Sequence, residues 1–124
     1  MAPLILNATE DTPEVIFDPN TGKLSMTGTS IPENARKFYD PLIAWLDEYS
    51  KNPSEITSFS FNFKYFNTAS TKYLFDIMVL AKDISKNGNS LVINWYFPED
   101  DDDMYEAGLG FSKMLRYPFN FVKA

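Results

Sequence analysis

A chain of 124 residues, 44% of them hydrophobic and 16% aromatic, is long enough to bury one core and too apolar to be disordered. It contains neither cysteine nor histidine, which excludes disulfides, thiolate metal sites, Ser-His-Asp triads and Cys-His pairs. A net charge of -6 at pH 7 argues against nucleic acid, whose binding leans on Lys and Arg contacts to phosphate.

The lead "MAPLILNATEDTPE" lacks a basic n-region and a long apolar run, so no signal peptide is expected. No stretch approaches the roughly 18 apolar residues of a membrane helix, so no membrane insertion is expected. These features point to a cytoplasmic protein, organised as a single domain over residues 1–124. "EVIFD" and "KLSMTG" flank the turn signal "PNTG" and predict a β-hairpin. In the segment that follows, Ser30 with Glu33 is a capping-box pattern. Phe38, Leu42, Trp45, Leu46 and Tyr49 keep helical spacing. Pro41 predicts a kink or a division into two helices, the second capped by Asp40.

From Ile56 to Tyr65 the sequence alternates, with Phe59, Phe61, Phe63 and Tyr65 on one face and Ser58, Ser60, Asn62 and Lys64 on the other. Such alternation predicts a strand with one covered and one wetter face. A helix follows and stops near Gly88. Then come a strand "LVINWYF", the acidic "PEDDDD", a helix through "MYEAGLGFSKML" and a last strand "PFNFV". The order β-β-α-β-α-β-α-β, with right-handed crossovers, predicts a two-layer α/β domain in which helices cover one face of a mixed sheet. Trp45 and Trp95 suit packing roles in it.

The junction "YFNTAST" places three hydroxyls where a strand meets a helix. At 100° per residue, Ala69, Tyr73, Ile77, Leu80, Ala81 and Ile84 form the core stripe. Ser70 points into that stripe, whereas Thr68 and Thr71 point away. Thr68 lies in the first turn, where free N–H groups favour an anion. Two readings stand side by side. Asn67 or Thr68 is a helix cap, or Thr68 is a modification site at the head of a docking stripe of Phe75 and Val79 flanked by Lys72, Lys82 and Lys86.

The run Glu99, Asp100, Asp101, Asp102 and Asp103 also has several readings. It is a solvated helix start, a weak oxygen-ligand site for Mg²⁺ or Ca²⁺, or an acidic modulator of Thr68. The last requires that the strands ending at Tyr65 and Phe97 be parallel, so that both exits share one sheet edge. No glycine-rich phosphate loop or other cofactor motif is present; "GLG" at Gly108–Gly110 lacks the Lys-Ser/Thr of a P-loop. An enzyme is therefore not expected. The enzymatic alternative is a metal-dependent hydrolase built on the acidic run.

"YFNTAST" between strand and helix, "NWYFPEDDDDMYEAG" some 30 residues on and "ATEDTPEVIFDP" near the start resemble the SiaC-type family of bacterial regulatory phosphoproteins. These are STAS-like domains related to the anti-sigma-factor antagonists. The resemblance covers essentially the whole chain and implies a partner-switching protein. It implies that a Ser/Thr kinase phosphorylates Thr68, with Thr71 and Ser70 as lesser candidates, and that a PP2C-type phosphatase reverses this. It further implies that the unmodified form binds a diguanylate cyclase and promotes cyclic-di-GMP synthesis and biofilm regulation. Asn67, Lys72, Phe75, Val79 and Lys82 would form the partner-binding face. An anti-sigma-factor antagonist is the alternative within the binding class.

Overall fold

The computed structural model describes all 124 residues. Its strands are β1 (Leu4–Leu6), β2 (Glu14–Asp18), β3 (Lys23–Ser30), β4 (Ile56–Phe66), β5 (Ser90–Phe97) and β6 (Asn120–Lys123). The helices α1 (Ala35–Tyr49), α2 (Thr68–Ile84) and α3 (Asp102–Leu115) occupy the three crossovers after β3. The strands lie in one six-stranded mixed sheet in the order β1-β2-β3-β4-β5-β6. β1, β2 and β3 pair antiparallel, and β3 to β6 are parallel. Successive right-handed crossovers that step in one direction put all their helices on the same face. The core agrees, because Leu24, Met26, Phe59, Phe61, Phe63, Ile93 and Trp95 are buried with residues of all three helices. Their strand neighbours Ser58, Ser60 and Asn94 instead face outward and join through Asn94 Nδ2.

Several local expectations are corrected. The lead contributes an extra edge strand, β1, which pairs with β2 from Leu4↔Phe17 to Leu6↔Val15. Ser30 does not cap α1. It ends β3 in the core, and Asn34 is the cap, its side chain accepting from Lys37 N at 3.1 Å. Residues 35–49 form one helix with an exposed Pro41 inside it, and Asp40 pairs with Arg36 instead of capping a second helix. The buried stripe of α2 is Ser70, Leu74, Ile77, Met78, Ala81 and Ile84, so Ala69 is exposed and Tyr73 and Leu80 are only half-buried. Tyr73 and Leu80 are large enough to reach the core from the margins of this stripe, whose centre lies nearer Leu74 and Met78.

The largest correction concerns Tyr65. Gly28 pairs with Phe63, but the next residue, Thr29, pairs with Tyr65. Lys64 is therefore an extra residue on β4, a bulge opposite a Gly28 whose φ is 122°. A bulge of one residue reverses the side-chain alternation beyond it. Tyr65 is consequently 58% exposed, while Phe66 turns inward against Trp95 (6.1 Å between centroids, interplanar 88°) and Phe111 (6.0 Å).

Trp95 anchors this end of the core. It is fully buried, and its Nε1 donates to Met104 O at 2.9 Å, fixing the ring against α3. The buried Gly108 lets the helix approach, because a Cβ there would overlap the indole. Gly108→Ala is predicted to destabilise the fold by about 1–3 kcal/mol. Gly110→Ala, where an added Cβ meets nothing, should stabilise it by about 0.5–1 kcal/mol through helix propensity. Urea denaturation midpoints of the two variants measure this contrast.

Candidate functional site

The ends of β3, β4 and β5 lie on one rim because these strands are parallel, and α1, α2 and α3 start there. At its centre, β4 passes into α2 through Asn67. This residue is extended (φ -89°, ψ 174°), and its Oδ1 accepts from Ser70 N at 3.0 Å. Asn67 is thus the cap, which resolves the choice between Asn67 and Thr68. Ser30 at the end of β3 holds the junction from below. Its carbonyl accepts from Asn67 N at 3.1 Å and from Ser70 Oγ at 2.9 Å. Its hydroxyl lies 2.9 Å from Ser70 Oγ and 2.5 Å from the hydroxyl of Tyr39 on α1. With the Ser70 hydrogen directed at the carbonyl, Ser30 donates to Ser70 and Tyr39 donates to Ser30. Tyr39 in turn stacks on Tyr73 of α2, with centroids 5.2 Å apart and planes 6° apart.

This network sorts the three hydroxyls of the motif. Ser70 has no exposed surface, as its helical phase required. The half-buried Thr71 donates its hydroxyl to Asn67 O at 3.2 Å, which its N–H also approaches at 3.2 Å. Thr68 is exposed, is the first residue of α2, and has no side-chain partner in the chain. Its backbone N–H and that of Ala69 have no partner either, as the first positions of a helix dictate.

Of the expected docking stripe, Lys72 and Val79 are exposed, and the Lys72 ammonium sits 5.8 Å from the Tyr73 ring centroid. Phe75 is half-buried against the core, and Lys82 donates to Leu115 O at 2.8 Å. Lys86 pairs with Asp83 at 2.9 Å. The acidic run divides as well. Asp101 caps α3, accepting from Met104 N at 2.9 Å. Asp102 and Asp103 occupy the first turn, and Glu99 and Asp100 are exposed before it. Across a cleft of about 290 Å³, Lys64, Tyr65 and Phe66 at the end of β4 face Asp101, Asp103 and Met104. Three or more Asp and Glu residues converge nowhere in the chain. No helix is long and apolar enough to cross a membrane.

The profile of the SiaC family regulatory phosphoproteins matches residues 6–124. The chain belongs to this family. An uncharacterized protein of Pseudomonas aeruginosa strain UCBPP-PA14 is 26% identical over 119 residues, covering 96% of this chain and 94% of that one. Apo-SiaC from Pseudomonas aeruginosa superposes with a TM-score of 0.85 at 26% identity, over 99% of this chain and 98% of the other. The structure of the diguanylate cyclase SiaD in complex with its activator SiaC, from the same organism, matches with a TM-score of 0.90 at 25% identity. That match covers 98% of this chain and 99% of the other. Sequence reasoning missed two residues of this SiaC-family rim, Ser30 and Tyr65. Gly28, a glycine at the end of a strand pattern, was the signal for the bulge that exposes Tyr65.

Replacing Asn67 with alanine should cost about 1 kcal/mol through the lost cap, and Ser70→Ala about 1–3 kcal/mol because it strands buried polar groups. Thr68→Ala should stay within about 0.5 kcal/mol of the parent; urea unfolding at neutral pH orders the three. Burial raises the Tyr39 pKa above the ordinary 10.0, outweighing the opposing effect of the hydroxyls of Ser30, to which it is hydrogen-bonded, and of Ser70 beyond it. The unfolded chain releases that proton near pH ~10 while the native state keeps it. Stability should therefore hold up to about pH 10 and fall above it. Tyr39→Phe should fall less steeply, as read by melting temperature against pH.

Proposed function

We propose that this chain is a non-catalytic, single-domain cytoplasmic regulator whose unmodified form binds and activates a diguanylate cyclase, and that phosphorylation of Thr68 releases it. Its other partners are the Ser/Thr kinase that modifies Thr68 and a PP2C-type phosphatase that restores it. Membership of the SiaC family and the likeness to the SiaC of the cyclase complex support the partner class. The lack of histidine and cysteine, with no convergent carboxylates, supports a binding role without catalysis.

The observation that carries the switch is the unequal state of the three hydroxyls. Only Thr68 offers a free hydroxyl on the surface. Ser70 would have to leave the core to be modified, and Thr71 is tied to Asn67. A phosphate on Thr68 would lie beside the free N–H groups of the first turn, where an anion is favoured. It would add about -1.5 to -2 charges without disturbing the cap. A partner resting its own acceptor over those N–H groups would be displaced by bulk and repulsion. The docking face runs from Asn67 through Lys72 to Val79, with Phe75 and Lys82 supporting it from within.

Mass spectrometry of the protein from its native cells is expected to find phosphate on Thr68 in part of the population. A Thr68→Ala strain should lack it and hold cyclic-di-GMP constitutively high. Phosphate on Thr71 alone, or cyclic-di-GMP unchanged in the mutant, would refute the assignment.

A further inference from the structure

We infer that the cleft between the end of β4 and the start of α3 receives an arginine side chain of the cyclase, an inference that rests on the function proposed above. Three observations converge there. First, the β4 bulge turns Tyr65 out of the core and leaves it 58% exposed, with no hydrogen bond to its phenol. Second, the facing wall carries the carboxylates of Asp101 and Asp103, and the chain's three ion pairs lie elsewhere. Third, the floor between these walls is the apolar surface of Phe66 and Met104, both held by the Trp95 cluster.

Charge complementarity selects the occupant. The lining holds two carboxylates and one cation, Lys64, and the exposed Glu99, Asp100 and Asp102 add to the negative field. An acidic side chain is repelled, and an aromatic one leaves the Asp103 carboxylate unmet, Asp101 already accepting from Met104 N through one oxygen. Arginine satisfies all three surfaces. Its stem lies along apolar atoms, its planar cation stacks on an aromatic face, and its fork pairs with a carboxylate. Lysine has the charge and lacks the plane.

The position fits a partner that Thr68 controls. Tyr65 and Thr68 are three positions apart, with only Phe66 and Asn67 between them, so their Cα atoms are at most about 11 Å apart, well within one interface. The cleft also offers free groups, whereas Phe75 and Lys82 on the α2 face are already engaged by the chain itself.

The test uses the full unphosphorylated chain and the diguanylate cyclase SiaD of Pseudomonas aeruginosa, with Kd measured by calorimetry. Tyr65→Ala and Asp103→Lys should each weaken binding about tenfold. The Asp103→Lys loss should shrink at high salt and the Tyr65→Ala loss should persist. Ile5→Ala, exposed at the far edge of the sheet, should bind like the parent. All three sites are exposed, and matched melting temperatures confirm the fold. Parental affinity in both cleft variants overturns the inference while leaving the proposed function intact. Failure of the parent to bind counts against the proposed function and removes the inference with it. A parent that dimerises, with Tyr65→Ala returning it to monomer, would assign the cleft to a second copy and overturn the inference.

Discussion

The junction between β4 and α2 depends on one residue, Ser30. Its carbonyl and hydroxyl together reach the Asn67 N–H, the Ser70 hydroxyl and the Tyr39 hydroxyl. Buried hydroxyls of this kind cost about 1–3 kcal/mol each when left unpaired, so the three elements are held to one arrangement. Every buried side-chain donor and acceptor in the chain has a partner. The rigidity this confers is what leaves Thr68 exposed. The cap falls to Asn67, the core position to Ser70 and the carbonyl contact to Thr71, so the first residue of α2 has no structural duty.

A second constraint sits on the other side of the same junction. An unbroken alternation through β4 would have buried Tyr65 and turned Phe66 to solvent. The bulge at Lys64 exchanges them, and Phe66 then completes an aromatic cluster with Phe63, Trp95 and Phe111. Gly28 supports this from the neighbouring strand with a positive φ that side chains rarely adopt. The packing gain at Phe66 and the exposure of Tyr65 are therefore one event. Core stability and surface display are coupled at the rim where Thr68 lies.

Much of this was legible in the sequence because the signals were local. The phenylalanine alternation of β4, the glycine stop after α2 and the burial of Ser70 all follow from strand and helix periods acting over a few residues. The acidic run could reach the rim only if β4 and β5 were parallel, a condition the alternation of strands and helices left open and the structure meets. The failures involve partners distant in sequence. Ser30 looked like a cap because Glu33 lies three residues on, yet its true partners are Tyr39, in the middle of α1, and Ser70, on α2. Pro41 looked like a break, yet α1 runs through it. Its burial of Tyr39, Leu42, Leu46 and Tyr49 outweighs one missing N–H. The bulge depends on how β3 pairs with β4, which no single strand encodes.

In the proposed switch, Thr68 governs a protein interface by gaining a charge and not by altering the fold. The direct measurement is the affinity of the diguanylate cyclase SiaD for the unmodified chain and for the same chain carrying phosphothreonine installed at position 68, with melting temperatures compared. Tight binding by the first, loss of binding by the second and nearly equal melting temperatures are expected. Equal affinity of the two forms, or loss of binding accompanied by unfolding of the phosphorylated chain, would contradict it.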